Sequence, residues 1–392
     1  MFNKRKILSV ILLLCLFAGS LGSCGTPVPG KTDPAGQPTD PSESISDPMG
    51  EPETSDTPES TDPAASREPE TQPAERKSID VYLIAGQSNA VGYTRITDRE
   101  SAYAFAPELE TGFSNVLFSG ETRWDYSGPR YVKSYNWQKT TLGLGSGNDG
   151  GNMGPEAGMA KALSAYYNEE SGNTAGIIKF GHGGTSLRNV TTGSNRFGNW
   201  VSPSYAEELG IPYQGKGSAT GALYRDFLTV IEKQLRKLKD LGYTDFRIMG
   251  LYWMQGEEDR YEPEEYSIAF QYFAMDLRDD LAACVKKITG DDDCGASGMP
   301  IYIGTISKTF DWAGASGIRY NQTFIDMQKA LAELPTTGEC VVVDNSEYAI
   351  NRMENGESVA VGSDRYHWNQ ADHLEIGLNV GNAMLKYYHY VE

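Results

Sequence analysis

Ser88 stands just past the apolar run Val81-Tyr-Leu-Ile-Ala85, after Gly86 and Gln87 and before Asn89. A run of that kind, stopped by a glycine, reads as a buried strand that delivers its next residues to the carboxyl edge of a sheet. Open α/β folds keep their sites there. A hydroxyl on such a turn is rigidly held and open to attack a substrate, as a nucleophile must be. Alone, Gly-x-Ser reads better as an ordinary strand-to-helix turn. Three further stretches reverse that reading: Gly183-Gly-Thr-Ser186, Gln255-Gly-Glu-Glu-Asp259 and Asp364-Arg-Tyr-His367. Acyl transfer needs a nucleophile, a base for its proton, an orienter for the base, and donors aimed at the developing oxyanion. In Asp-x-x-His both side chains share one loop, so Asp364 can fix the tautomer of His367. Gly183 and Gly184 let backbone N–H groups approach a substrate oxygen with no Cβ in the way. The Gln255 amide offers one more donor.

Those stretches need a scaffold, and the chain supplies strands alternating with helices. Strand-like runs cover 81–86, 175–180, 246–253, 300–306 and 340–344, and helical patterns cover 155–167, 222–241, 264–289, 319–334 and 374–388. In the second helix Leu223, Phe227, Val230, Ile231, Leu235 and Leu238 share one face, and Gly242 caps it. This alternation predicts a three-layer α/β/α sandwich, with a central parallel sheet of about five strands. Residues 94–153 show little periodicity yet are rich in aromatics, and a long ordered loop is usually functional. Trp124, Tyr126 and Trp137 are therefore candidates to meet a substrate, with Asn89 beside the nucleophile. Gly143-Leu-Gly-Ser-Gly147 lacks the Gly-Lys-Ser/Thr ending of a phosphate loop, which removes a nucleotide site. Glu257, Glu258 and Asp259 are adjacent and point to opposite faces, so they are badly placed to flank one glycosidic bond. Hydrogen bonding to the other loops suits them better. His182 reads as a loop residue, not a base.

The ends of the chain differ from this middle. Lys4, Arg5 and Lys6 precede an apolar run from Ile7 to Gly19 and then Leu21-Gly-Ser-Cys24. That is a basic region, a short apolar region and a small-residue cleavage site, too short to span a bilayer. Leu-Gly-Ser-Cys resembles a bacterial lipobox, which implies a signal peptide over 1–23, acylation of Cys24 and an exported protein anchored to a membrane by lipid. Residues 25–78 hold eleven prolines, no aromatic residue and twelve acidic against four basic residues, a net of −8. Such a segment cannot bury enough apolar surface to order itself, so 24–78 is expected to be a tether. As a coil it would reach roughly 40 Å. The whole chain carries −19; the leader holds +3 and the tether −8, leaving −14 on the domain expected over 79–392. So acidic a surface disfavours nucleic acid and leaves neutral polymers as partners. Cys284 and Cys294 flank an acidic turn and could pair in an oxidising setting. The four histidines are scattered, so neither a metal nor another cofactor is expected.

Gly-Gln-Ser-Asn, Gly-Gly-Thr-Ser, Trp253-x-Gln-Gly-Glu-x-Asp259 and Asp-x-x-His, in that order, resemble the SGNH hydrolases. The branch they are most similar to is the sialate O-acetylesterase-like group, which includes the acetylxylan esterases of carbohydrate esterase family six. Gly154-Pro-Glu156 and Gly221-Ala-Leu-Tyr224 support the resemblance, which spans residues 79–392. It implies Ser88 as nucleophile, His367 as base and Asp364 as its orienter. The oxyanion hole it implies is the Ser88 N–H, a glycine of Gly183-Gly184 and the Gln255 amide. His373 departs from the pattern by placing a second imidazole near the first. The implied function is removal of O-acetyl groups from carbohydrate, xylan or sialic acid, by a monomer at a bacterial surface. The alternatives are a non-catalytic carbohydrate-binding module, and a lipase or peptidoglycan O-acetylesterase using the same triad.

Overall fold

Strand β1 (Lys77–Gly86) is the spine of the domain, and Val81 to Ala85 have no exposed surface. Each of its large apolar side chains contributes about 1.5–3 kcal/mol by leaving water. The computed structural model describes residues 77–124, 131–213, 218–290, 294–311 and 315–391. The leader, Cys24, nearly all of the tether and Tyr126 lie outside the described residues. Lys77 and Ser78, expected in the tether, already pair with Tyr243 and Asp245 as part of the strand.

Six more strands complete the sheet: β2 (Val116–Trp124), β3 (Tyr131–Lys139), β4 (Ala175–His182), β5 (Tyr243–Met254), β6 (Ile301–Gly304) and β7 (Cys340–Val343). Their order is β3-β2-β4-β1-β5-β6-β7, and all neighbours are parallel except β3 with β2. The sandwich is as expected from sequence, but the sheet has seven strands where about five were expected. The two extra strands come from the stretch read as a functional loop. In β2 the buried residues include Ser119, Thr122 and Arg123, which break any apolar pattern. Partners distant in the chain satisfy two of them: Ser119 Oγ donates to the Tyr135 carbonyl at 2.9 Å, and Arg123 pairs with Asp226 on a helix.

The flanking helices are α1 (Ser88–Val91), α2 (Glu156–Leu163), α3 (Ala222–Asp240), α4 (Pro263–Thr289), α5 (Ala315–Leu331) and α6 (Gln370–Tyr387). Helices α3, α4 and α5 pack in succession, while α2 packs on α6. The second pair meets backbone to backbone. A Cβ at Gly158 would lie 1.9 Å from the Leu374 carbonyl oxygen, and one at Gly377 would lie 2.2 Å from that of Pro155. This close seat carries the loop before α6 to the edge of the sheet where β1 ends. Cys284 and Cys294 are separate thiols and form no disulfide.

Candidate active site

Gly86, Gly181 and Met254 lie side by side across β4, β1 and β5, so the three loops that follow leave the same sheet edge. A Cβ on Gly86 would fall 1.9 Å from the Met254 carbonyl oxygen, and its φ of 142° suits glycine alone. That turn ends β1 and opens α1 at Ser88. The Ser88 N–H, in the first turn of α1, has no partner within the helix. Ser88 itself is 7% exposed, and its Oγ makes no hydrogen bond among the described residues.

The loop before α6 arrives from the other side. His367 Nδ1 lies 2.8 Å from Asp364 Oδ2, and Asp364 Oδ1 accepts from the N–H groups of Tyr366 and His367 at 2.7 and 2.8 Å. Burial pushes the Asp364 carboxyl up, but the His367 hydrogen bond and charge and the two N–H groups outweigh it and hold it below its usual range. A proton on Nδ1 shared with Asp364 leaves Nε2 as an acceptor. Asn89, next to Ser88, donates from Nδ2 to the Tyr366 carbonyl at 3.4 Å, so the two loops touch one residue away from Ser88 and His367. The Tyr93 ring lies 5.2 Å from the His367 ring, and Thr94 Oγ1 donates to the Trp368 carbonyl at 2.9 Å. Both follow α1 closely, and nothing in the sequence marked them.

His373 is built differently. It is buried, and its Nδ1 meets Thr94 Oγ1 at 2.6 Å, with no carboxylate partner among the described residues. Burial pushes it down to about 3, with the charges of Lys179 and His367 acting the same way and a hydrogen bond to the Asn89 backbone opposing them. It is a neutral strut at any ordinary pH.

Asp259 ties the loops together. It is fully buried and accepts from Ser186 Oγ, the Leu187 N–H at 2.8 Å, Arg188 Nε at 2.9 Å and Gln255 Nε2 at 2.7 Å. Burial pushes its carboxyl up, and these donors pull against that without cancelling it. The sequence reading of the carboxylate run as structural agrees with this placement for Asp259.

Three sequence expectations need correction. Gln255 Nε2 has two hydrogens, and they go to Asp259 and to the Thr185 carbonyl at 2.9 Å, with Gln87 Oε1 a further 3.3 Å neighbour. With no exposed surface and both donors committed, Gln255 cannot also face an oxyanion. Asn89 has no exposed surface either and donates to Glu257 Oε1 at 2.6 Å, so it braces the loops and does not line an open pocket. Burial pushes the Glu257 carboxyl up, opposed by Asn89, by its own backbone and by the charges of His367 and Arg260. Trp124 and Trp137 are not platforms either. Trp124 is 9% exposed and clusters with Val91 and Tyr93 behind α1. The Trp137 indole donates to the Gln234 carbonyl at 3.0 Å and covers Gly176, at the amino end of β4 and far from Ser88. Gly183 and Gly184 both follow β4 at the expected edge, Gly184 with a φ of 64°.

The family model described as carbohydrate esterase, sialic acid-specific acetylesterase matches residues 78–386. No curated protein matches the chain at a significant level. Among solved structures, NanS is 16% identical over 80% of this chain and 98% of its own, with a TM-score of 0.48. A protein from Arabidopsis thaliana is 17% identical over 78% of this chain and 98% of its own, with a TM-score of 0.41. Axe2, an acetylxylan esterase from Geobacillus stearothermophilus, is 14% identical over 78% of this chain and 92% of its own, with a TM-score of 0.32.

Proposed function

The chain belongs to the carbohydrate esterase family of sialic acid-specific acetylesterases, a family of carboxylic ester hydrolases that take O-acetyl groups from carbohydrate, and from that premise we propose that Ser88, His367 and Asp364 are its catalytic triad. The observation that carries the assignment is the Asp364–His367 pair at 2.8 Å, on a loop that touches the residue beside Ser88. In this reading His367 Nε2 takes the Ser88 proton as Oγ attacks the acetyl carbon. The resulting oxyanion is held by the Ser88 N–H and an N–H of Gly183-Gly184. His367 then gives its proton to the departing sugar oxygen and leaves an acetyl-Ser88 ester. Water, deprotonated by His367, attacks that ester; acetate leaves and Ser88 regains its proton. Asp364 stays ionised throughout and stabilises the imidazolium, as its lowered affinity for protons requires.

The test is acetate release by the purified chain from O-acetylated xylan, O-acetylated sialic acid and O-acetylated peptidoglycan in parallel. Release from either of the first two is expected; release from peptidoglycan alone would move the substrate to the cell wall, and release from none would leave only a binding role.

We place the enzyme outside a bacterial cell, held by lipid on Cys24 with the acidic, proline-rich segment as a spacer. The support is the Leu21-Gly-Ser-Cys24 motif after a basic and apolar leader. Cys24→Ala is expected to shift the protein from the membrane fraction to the medium, or to leave it held only by an uncleaved leader. Membrane retention of a cleaved Cys24→Ala chain would refute the anchor.

A further inference from the structure

Among the described residues the aromatic side chains that stand largely in solvent are Tyr261 at 53%, Tyr366 at 49% and Tyr320 at 44%. All three lie on one strip that starts at the reacting imidazole. The Tyr366 ring is 6.5 Å from that of His367 and 6.0 Å from that of Phe310. Phe310 is 7% exposed and forms the floor. The Arg260 guanidinium lies 5.0 Å over Phe310 and 4.3 Å from the Tyr261 ring, and Tyr261 meets Tyr320 on α5 at 5.3 Å. Rings buried in a core explain themselves; three half-bare tyrosines in line with a nucleophile's base do not.

We propose that this strip binds the sugar rings flanking the acetylated one, so that the preferred substrate is an acetylated oligosaccharide or polysaccharide chain and not a single acetylated sugar. The proposal rests on the triad reading above. A sugar acetylated at the reacting centre can reach Tyr366 beside His367, whereas Tyr261 and Tyr320 lie beyond Phe310 and Arg260, where only further units of a chain arrive. The tyrosine ring suits such a ligand, with an apolar face for the C–H side of a sugar and a phenol for its hydroxyls. The charges in the middle of the strip are paired, with Asp311 44% exposed beside Arg260. Arg260 is 11% exposed and donates to the Glu257 carbonyl at 2.7 Å, to Asp311 Oδ2 at 2.6 Å and to the Tyr261 phenol at 2.8 Å. Committed in this way, it fixes the Tyr261 ring and is not presented to an anionic sugar, so a neutral chain fits the middle of the strip, while the exposed Arg319 guanidinium lies 5.8 Å from the Tyr320 ring at its far end. Phe310 and Tyr366 are tilted by 56° and Tyr261 and Tyr320 by 75°, so the strip matches a single twisted chain better than a flat crystalline face.

The experiment measures kcat/KM of the full chain on a small aryl acetate, an acetylated monosaccharide and neutral acetylated oligosaccharides of increasing length. Wild type is expected to gain with chain length. Tyr261→Ala and Tyr320→Ala should each lose about five- to tenfold on the long substrates, the loss of one ring contact. Neither variant should change the small ester by more than about twofold, and Tyr261→Phe and Tyr320→Phe, which keep the ring face and lose only the phenol, should fall between wild type and the alanine variants on the long substrates. No gain with length in wild type, or equal losses on the aryl acetate and the oligosaccharide, would overturn the strip as a binding site while leaving the esterase reading standing. No acetate release from any ester would instead overturn both.

Discussion

Ser88→Ala is expected to leave the fold intact and to lower kcat on a small acetyl ester by about 10⁴-fold or more, because removing the nucleophile leaves only binding and oxyanion effects. The fold should survive because the Ser88 Oγ makes no hydrogen bond among the described residues, so nothing buried loses a partner. The backbone of α1, held by Gly92 N–H donating to the Ser88 carbonyl at 2.9 Å, is untouched by the change. Thermal melting and steady-state kinetics on the same preparation decide the matter. A variant within tenfold of wild type would exclude Ser88 as the nucleophile, whatever the merits of its position.

The two histidines should separate cleanly. His367→Ala should match Ser88→Ala, and the double variant should be little worse than either, since a triad acts as a unit. His373→Asn should cost less than about tenfold in kcat, because that side chain braces Thr94 and the Asn89 backbone and touches no reacting atom. Its signature is stability against acid. In the folded protein His373 is pushed down to about 3, whereas in the unfolded chain it titrates near the ordinary value of about 6.5. Between those values the unfolded chain binds the extra proton, so stability falls as pH is lowered from about 6.5 toward 3. The slope is up to about 1.4 kcal/mol per pH unit from this group. Above pH 7 it contributes no slope. Denaturant midpoints across that window should flatten in His373→Asn by about one proton. If the kinetic losses of the two variants were exchanged, His373 would be the base.

Much of the candidate site's geometry was legible because its determinants are local. An apolar run closed by Gly86 fixes where Ser88 stands, and Asp364 and His367 are three residues apart, close enough for one loop to bring them to 2.8 Å. The alternation of strands and helices was legible for the same reason, since burial of a parallel strand needs only a continuous apolar run. Strand β2 escaped notice because it buries Ser119, Thr122 and Arg123, and the partners of Ser119 and Arg123 are Tyr135 on β3 and Asp226 on α3, which no window of sequence contains.

Tertiary structure alone decided which groups remain free to work. Gln255 carries the right amide, but a carbonyl 70 residues away and Asp259 consume its donors. Asn89 sits beside Ser88, yet Glu257 and the Tyr366 carbonyl, 168 and 277 residues distant, turn it inward. Trp124 and Trp137 are as aromatic as Tyr261, Tyr320 and Tyr366, and only packing buries Trp124, ties Trp137 to the Gln234 carbonyl and bares the three tyrosines. The residue types and the order of their motifs are properties of the chain and survive any reading of it. Exposure and donor capacity are set by neighbours brought together from across the whole domain, so each side chain's availability to a substrate emerges only when the sheet and its loops have closed.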